Sequence, residues 1–518
     1  MTTAEQARGS VARIWAEVLR VPEPGPRDDF FALGGDSIAA TRLVARLRAD
    51  LRISLPATAV FGTPVLGDLV ELVANADVLP PAAPRSAAPA GLSAAQRRQW
   101  FLELFSEGAP SYHIPLVLRI RGPLDAGALR AAVRGLVDRH RILRTRYPDR
   151  EGEPYAVTDD ADGFTVGMAR VPPGQIDAWI RAQVRMPFDL AGGPVFRAVL
   201  GRAGRGDHVL ACTVHHIAAD GWSRRILLDE LAVLYAFHRG LGPAPDPAPP
   251  QYADVLGRTA TTADVAWWVE ALRGAPDRTT FPADHARPAV LTDAGATIPF
   301  ELGPELSAAV RNLARSCHTT TYGVLMTALQ LLLARETGET DTVVATSVAG
   351  RDDPAAEAVV GCFINTVAIR VDQAGDPVVA DLVRRVRAAT LGALDHAHVS
   401  FDQVVEAADV CRDPAYRPLF QVMLTVHNEP APKPSLTGLD VTWLDVDNGG
   451  AKCDTFFAVT DDGGPLTGAL TYRTQLYEHA GAARLVDGFR AVLAAMAGQA
   501  GRRVSELDTA HQEGTRNA

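Results

Sequence analysis

Two adjacent histidines, His215 and His216, precede Asp220 and Gly221 with three residues in between. An imidazole titrates near neutral pH and can accept or donate a proton during a reaction. Adjacent side chains on an extended chain point to opposite faces, which predicts one imidazole facing a cavity and the other packed behind it. Two core histidines without a chemical role, or a metal site, are the alternatives that the pair alone leaves open.

The segments on either side of the pair predict how it is positioned. Residues 208–214 are apolar and rich in β-branched side chains, which is typical of a buried strand that ends at the histidines. After Gly221, apolar residues recur at helical spacing, namely Ile226, Leu227, Leu228, Leu231 and Leu234. We therefore expect a strand, a histidine-bearing loop and a helix, and such loops commonly present reactive side chains.

The pattern HHxxxDG at residues 215–221 resembles the signature of the condensation domains of non-ribosomal peptide synthetases and of the wider chloramphenicol-acetyltransferase-like acyltransferases. Other stretches are similar to further motifs of that family, and they occur in the family's order. They are residues 92–102, 137–147, 188–197, 360–370 and 412–421, with partial matches at 252–254 and 396–402. The ordered set is more specific than any single motif.

A second motif, Phe30-Phe-Ala-Leu-Gly-Gly-Asp-Ser-Ile38, lies among three or four predicted short helices. The apolar residues at helical spacing are Val11, Ile14, Trp15, Val18 and Leu19, then Ile38, Leu43, Val44 and Leu47, then Leu66, Leu69, Val70 and Val73. Asp36 and Ser37 alone could form an ordinary helix cap. The whole string, however, resembles the phosphopantetheine attachment site of peptidyl carrier proteins. This resemblance implies 4'-phosphopantetheine on Ser37, at a helix N-terminus that favours phosphate.

The two resemblances together cover nearly the whole chain and imply its organisation. We expect a small all-α four-helix carrier bundle, then a two-lobed α/β (α+β) chloramphenicol-acetyltransferase-like condensation domain with a central tunnel; alternating strand-like and helix-like runs after Leu92 agree with this class. The expected limits are 1–77 for the carrier, 78–91 for a Pro/Ala linker, 92–274 for the first lobe, 275–290 for the lobe connection, 291–510 for the second lobe and 511–518 for a tail.

The condensation-domain resemblance also implies an activity and residue roles. The donor acyl thioester on the carrier would be joined to an acceptor amine held on a downstream aminoacyl carrier. His216 would face the tunnel and position the amine or relay its proton, with His215 packed behind it. Asp220 would be structural and pair with Arg351, and the Gly221 amide would face the developing oxyanion.

Other activities fit the sequence less well. An epimerisation-type domain shares HHxxxDG, but this chain lacks an EGHGRE-type string and has Asn365-Thr366 as condensation domains do. Heterocyclisation domains carry aspartates in place of both histidines, and a free coenzyme A-dependent acyltransferase would not need Ser37. A catalytically silent docking platform for tailoring enzymes is a further alternative, which the intact histidines and Asp220 argue against.

Composition limits the remaining function classes. The 518 residues are 47% hydrophobic and 22% charged, which predicts a soluble globular protein of two to four domains. A net charge of -10 argues against nucleic acid as a partner. The five cysteines form no CxxC pair, and no signal peptide or apolar run of ~18 residues is present, so we expect a cytoplasmic protein without a membrane contact. His396 and His398 lack companion ligands at a matching spacing, and we expect no metal.

Domain order predicts the partners. A carrier that precedes a condensation domain delivers the donor, so we expect a downstream acceptor carrier, an upstream adenylation domain of the same assembly line, and a phosphopantetheinyl transferase that modifies Ser37. The chain is therefore expected to be a piece of a longer synthetase. Because no epimerisation domain lies between carrier and condensation domain, an L-configured or achiral donor is expected.

Overall fold

The structure is a computed structural model that describes residues 4–35, 37–56, 59–77, 92–106, 108–172, 174–255, 260–408, 410, 413, 415–428 and 433–507. The predicted linker 78–91 and tail 511–518 lie outside the described residues, as does Asp36. Within the described ranges no helix is both long and apolar enough to cross a membrane.

The N-terminal unit is helical. It contains α1 (Ala4–Leu19), α2 (Ser37–Leu51), the single turn α3 (Ala59–Gly62) and α4 (Leu66–Ala74). Its core is formed by the apolar stripes that the sequence predicts, with Trp15 packed edge-on against Phe30 at a centroid distance of 5.0 Å. The three predicted stripes thus lie on α1, α2 and α4, and their members with described side chains are buried in this core or packed against it.

The remaining chain mixes strands and helices in an α+β arrangement. Its elements are α5 (Ala94–Ser106), β1 (His113–Arg121), α6 (Ala126–Arg139), β2 (Thr145–Arg146), β3 (Asp149–Arg150), β4 (Glu153–Pro154), β5 (Val157–Thr158), β6 (Gly167–Arg170), α7 (Ile176–Arg185), β7 (Phe196–Gly204), β8 (Asp207–His215), α8 (Gly221–His238), α9 (Thr262–Ala271), β9 (Gly295–Glu301), α10 (Gly303–Ser316), α11 (Thr321–Thr337), β10 (Asp341–Val348), β11 (Asn365–Asp372), α12 (Val379–Asp395), α13 (Phe401–Ala407), β12 (Val422–His427), β13 (Asp440–Leu444), β14 (Thr455–Thr460), β15 (Thr467–Arg473) and α14 (His479–Gly498).

The first large sheet has the strand order β13-β1-β8-β7-β6. Side chains of the central strand β8 alternate between its faces: Leu210 and Cys212 pack in the core beneath α6 and α8, whereas Val209 packs with Ile180 of α7. The same alternation directs His215, six residues after Val209, to the α7 face. The sheet thus determines which way the first histidine points.

The second large sheet has the strand order β11-β10-β12-β14-β15-β9. Its core is formed with α10, α11, α12 and α14 and includes Leu329, Phe457 and Phe489. Buried strands β10 and β12 are parallel neighbours, while β10 and β11 are antiparallel. Residue Arg351, which follows β10, therefore leaves this sheet at the end where β11 begins.

Two segments pack differently from the lobe limits predicted by the sequence. Trp268 and Leu272, in the range predicted for the first lobe, lie in the core of the second sheet. Strand β13, in the range predicted for the second lobe, pairs antiparallel with β1 in the first sheet. Hydrophobic periodicity shows which face of an element is buried but not which of two cores receives it, so packing of this kind is not visible in the sequence.

Candidate active site

The histidine pair lies at the end of the central strand of the first sheet. His215 is the last residue of β8, opposite His113 of β1. The His216 amide donates a hydrogen bond to the Tyr112 carbonyl over 2.8 Å, and the His215 amide donates to the Val195 carbonyl over 2.8 Å. Both histidines are buried, but His216 keeps 5% of its surface accessible and His215 keeps none.

His215 has a partner for each ring nitrogen. Its Nδ1 accepts a hydrogen bond from the Ile217 amide over 3.1 Å, which leaves the hydrogen on Nε2. Nε2 lies 3.2 Å from Oε2 of Glu103, on α5. Because both nitrogens are occupied, His215 has a supporting position in the site.

The ring of His216 has fewer close polar contacts than the ring of His215. Its Nδ1 lies 3.9 Å from Sγ of Cys362, and its ring meets the Tyr112 ring edge-on at a centroid distance of 6.4 Å. Burial lowers the pKa of His216 well below its ordinary value, and the positive charge of Lys452 lowers it further. The imidazole is therefore neutral at physiological pH and able to accept a proton from an amine.

Asp220 caps the helix that follows the histidines. Its Oδ1 accepts hydrogen bonds from the Ser223 amide over 2.9 Å and from the Ser223 hydroxyl over 2.7 Å, at the N-terminus of α8. Its Oδ2 accepts a hydrogen bond from the Phe363 amide over 3.2 Å. A side chain with this many local partners is held rigidly and is not oriented toward a substrate.

Arg351 meets Asp220 from the second sheet. Its guanidinium nitrogen NH2 lies 2.9 Å from Oδ1 and 3.0 Å from Oδ2 of Asp220, and NH1 donates to the Val359 carbonyl over 2.8 Å. Both side chains are almost completely buried. The structure thus brings together the two residues that the sequence pairs, and the contact joins the histidine loop to the segment after β10.

Gly221 is the first residue of α8, immediately after the cap. A Cβ at this position would meet no other atom within 4 Å, so the space beside its backbone is open. The backbone amides at a helix N-terminus favour negative charge. This placement is compatible with the role predicted for the Gly221 amide.

The chain makes a glycine turn just before the helix that begins at Ser37. Ser37 is the first residue of α2, Gly34 has a φ of 93°, and a Cβ on Gly35 would lie 2.3 Å from the Phe30 ring. Only glycines allow this turn, which is exposed around Leu33 and Gly34. A helix N-terminus after a surface glycine turn fits an attached phosphate ester.

The helix that begins at Ser37 contacts the α+β part of the chain directly beside the histidine motif. The Arg42 guanidinium lies over the Trp222 ring, 4.2 Å from its centroid, and Trp222 is the residue after Gly221. Glu357 lies 3.8 Å from Nε of Arg42 and 3.5 Å from NH2 of Arg46. Trp222 is itself fixed by a 2.9 Å hydrogen bond from its Nε1 to the Glu357 carbonyl.

The other two histidines singled out in the sequence, His396 and His398, lie beside the same carboxylate. His396 Nδ1 lies 3.2 Å and His398 Nε2 2.9 Å from the two oxygens of Asp264, and His396 stacks on Trp267 at 4.5 Å. Across the part of the chain that the structure describes, no group of three or more His, Cys, Asp or Glu side chains is arranged so that it could hold a metal ion.

Four residues of the site were not identified from the sequence. Glu103, Tyr112, Cys362 and Lys452 surround the histidine pair, but each lies more than 100 residues from the pair in sequence. For Lys452 one signal was available, because only two of the 51 basic residues, Lys433 and Lys452, are lysines.

Two protein-family models match the chain. The model described as a condensation domain matches residues 88–517, and the model described as a phosphopantetheine attachment site matches residues 10–73. The first range contains the histidine pair and the second contains Ser37.

Two curated proteins are similar over nearly the whole chain. The dimodular nonribosomal peptide synthase of Bacillus subtilis (strain 168) is 35% identical over 518 residues, covering 96% of this chain and 22% of that protein. The probable non-canonical nonribosomal peptide synthetase CymA of Salinispora arenicola (strain CNS-205) is 34% identical over 515 residues, covering 95% of this chain and 7% of that protein. The chain thus spans a small part of each relative's length.

A solved structure shares the fold of the larger segment. The X-domain from teicoplanin biosynthesis is similar with a TM-score of 0.75 and 29% identity, covering 82% of this chain and 99% of that one.

Proposed function

The chain belongs to the condensation-domain family, and from this premise we propose that it forms a peptide bond between a donor on its own carrier domain and an acceptor amine on a downstream carrier. We propose the domain limits 1–77 for the carrier, 78–91 for the linker and 92–510 for the condensation domain. Ser37 is the proposed attachment site of 4'-phosphopantetheine.

The observation that carries this proposal is the contact between α2 and the histidine motif. Ser37 and Arg42 lie on the same helix, about 7.5 Å apart along its axis at ~1.5 Å per residue. Arg42 packs on Trp222, which follows Gly221 of the motif. Leu391 of α12 also packs against the core of the carrier. The serine is therefore near the histidine loop, as a donor carrier requires.

Residues from both large sheets meet at His216, which supports a reaction site between two lobes. Cys362 lies just before β11 of the second sheet, and its Sγ contacts His216 Nδ1. The Asp220–Arg351 ion pair joins the same two parts of the molecule. We propose that the fold is chloramphenicol-acetyltransferase-like and that a passage between the lobes gives both substrates access to His216.

The residues then have distinct roles. The attached prosthetic group supplies the thioester that holds the donor. His216 positions the acceptor amine and takes up its proton, while His215, held by Glu103, keeps the loop in place. Asp220 and Arg351 hold the Gly221 amide in position. Orientation of two tethered reactants can supply ~7–11 kcal/mol of the barrier reduction, so proton handling by one imidazole is sufficient chemistry.

The proposed partners follow from this arrangement. They are an adenylation domain that loads the donor, a downstream aminoacyl carrier that brings the acceptor, and a phosphopantetheinyl transferase for Ser37. We propose an L-configured or achiral donor.

The test is a single-turnover assay with the protein loaded at Ser37 with an aminoacyl arm and supplied with an aminoacyl carrier. His216→Ala should lower the rate of peptide formation by ~10²–10⁴-fold, the contribution typical of a proton-transfer group. His238→Ala, at an exposed position of α8, serves as the control and should leave the rate unchanged. Turnover of His216→Ala at the wild-type rate would remove this residue from the mechanism.

A solved complex of the teicoplanin X-domain with OxyB, 29% identical to this chain, favours one alternative, a condensation-like platform to which another enzyme binds. The same assay separates the two functions, because a platform gives no peptide even in the wild-type protein. An epimerisation-type activity would instead change the configuration of the donor without an acceptor, which chiral analysis of the released donor detects.

A further inference from the structure

Lys452 lies on the segment that returns the chain from the first sheet to the second. This segment connects β13 with β14, and it is fixed beneath the loop that precedes β1. Asn448 donates a hydrogen bond from Nδ2 to the His113 carbonyl over 3.0 Å, and the Ala451 amide donates to the Asp293 carbonyl over 2.8 Å. A Cβ on Gly450 would lie 2.5 Å from Cα of Ser111. The backbone around Lys452 is therefore held closely in place.

The Lys452 ammonium lies next to the reaction centre. Its Nζ is 5.8 Å from the centroid of the Tyr112 ring, and the same ring meets His216 edge-on. Among the neighbouring charges, that of Lys452 lowers the pKa of His216 most. Its neighbours Cys362 and Cys453 are buried, whereas Lys452 keeps part of its surface accessible.

The electrostatic surroundings of this ammonium are unfavourable. Among the residues that the structure describes, none forms an ion pair or a hydrogen bond with Nζ. Arg417 and Arg224 add like charge, and burial lowers the pKa of Lys452 to about 8. The titratable and charged groups that face it are Tyr112 and His216 from the first sheet's loops, Arg224 of α8, Cys362 before β11, Arg417 before β12, and Cys453 next to it. A cation left without an anion at a reaction centre is expected where negative charge forms during the reaction.

Composition gives an independent indication. The chain uses arginine at all but two of its 51 basic positions. Arginine stays charged at every accessible pH and its planar group is larger, whereas lysine presents a compact point charge that can lose its proton when buried. One of the two lysines, Lys452, lies beside His216, where a compact charge that can lose its proton would act differently from an arginine.

We propose that Lys452 is a further functional residue of the condensation reaction, placed to stabilise the negative charge that develops on the donor carbonyl oxygen. This inference rests on the proposed function. The amine lone pair forms the new C–N bond as the carbonyl π electrons move to oxygen, where the Lys452 charge attracts them, and His216 takes the proton from nitrogen. The carbonyl then re-forms, the C–S bond breaks, and the departing sulfur receives that proton from His216.

The kinetic test compares Lys452→Met and Lys452→Arg with the wild type in the single-turnover assay, from pH 6 to pH 10. Lys452→Met should lower the rate by ~10²–10³-fold, as for other groups that stabilise an oxyanion. The wild-type rate should fall as pH rises through about 8, where Lys452 loses its proton, and this decline should be absent in Lys452→Arg. Lys433→Met, at an exposed position, is the matched control.

The second readout does not depend on activity. Selective isotope labelling of lysine gives signals from two side chains only, and Lys433→Arg assigns them. The Lys452 signal should titrate near pH 8 in the unloaded protein. If the wild type forms no peptide, the proposed function is wrong. If the wild type forms peptide and Lys452→Met is equally fast, only the assignment of Lys452 is wrong. The same holds if the rate of Lys452→Arg still declines above pH 8. If Lys452→Met does not fold, the pH profile of Lys452→Arg decides alone.

Discussion

The Arg351 guanidinium contacts both carboxylate oxygens of Asp220, at 2.9 and 3.0 Å, across the junction between the two large sheets. Both groups are buried, so the pair persists because each charge neutralises the other and because further hydrogen bonds satisfy most of the remaining polar atoms, such as NH1 of Arg351 and Oδ2 of Asp220. The contact lies one residue from Gly221 and four from His216. It therefore couples the stability of the fold to the position of the reacting histidine.

Asp220→Asn should consequently lower both stability and rate. The amide keeps the shape but leaves the Arg351 charge buried without an anion, which typically costs ~3–5 kcal/mol. Thermal unfolding followed by circular dichroism measures the change, with Asp229→Asn, exposed on the same helix, as the control. The double variant Asp220→Asn, Arg351→Met should lose less than the sum of the single changes. A loss of rate at unchanged melting temperature would contradict the structural role of Asp220.

Charge reversal at the carrier contact should weaken donor transfer. Glu357→Arg replaces two attractive contacts, with Arg42 and Arg46, by two repulsive ones. These side chains are partly exposed, and ion pairs near a protein surface contribute ~0.2–1 kcal/mol each, so we expect the single-turnover rate with the tethered donor to fall by about 10-fold. Adding Arg42→Glu and Arg46→Glu to this variant should restore most of the rate.

Glu305→Arg, on an exposed face of α10, is the control for this charge change. An equal loss in the control, or no recovery in the triple variant, would show that this contact does not guide the donor.

Ser37→Ala should abolish attachment of the prosthetic group. Incubation with coenzyme A and a phosphopantetheinyl transferase, followed by intact-protein mass spectrometry, measures the modification. Ser54→Ala, at an exposed position of the same unit, should still be modified completely. Modification of Ser37→Ala would mean that another serine carries the arm.

Local patterns were sufficient to predict the elements that position the site. The run before His215 forms β8, and the apolar stripe after Gly221 lies on α8. These features depend on side chains within one turn or one strand. Their periodicity is therefore visible in the sequence.

Contacts between distant segments were not predictable in this way. Glu103, Cys362 and Lys452 reach the histidines from α5, the segment before β11 and the segment before β14. The return of β13 to the first sheet brings the last of these segments into place. No local period encodes such a return, because it depends on which strand edge is free to pair.

His113 should make the protein less stable in mild acid. Burial lowers the pKa of His113 to about 4 from an ordinary value of 6.5, while its Nδ1 hydrogen bonds to the Val184 carbonyl over 2.8 Å. Between these pH values the His113 imidazole is protonated in the unfolded chain but not in the folded protein. Stability should therefore fall as pH drops below about 6.5 and level off below about 4, by at most ~3 kcal/mol from this residue.

His113→Phe removes this titration while keeping a ring against Phe188, which lies 4.9 Å away. The variant should be less stable at pH 7.5, because the hydrogen bond to Val184 is lost, yet its melting temperature should change less between pH 7.5 and pH 4.5. His238→Phe, at an exposed position, should keep the wild-type slope. Equal slopes in the wild type and in His113→Phe would show that His113 is not the group whose protonation opposes folding.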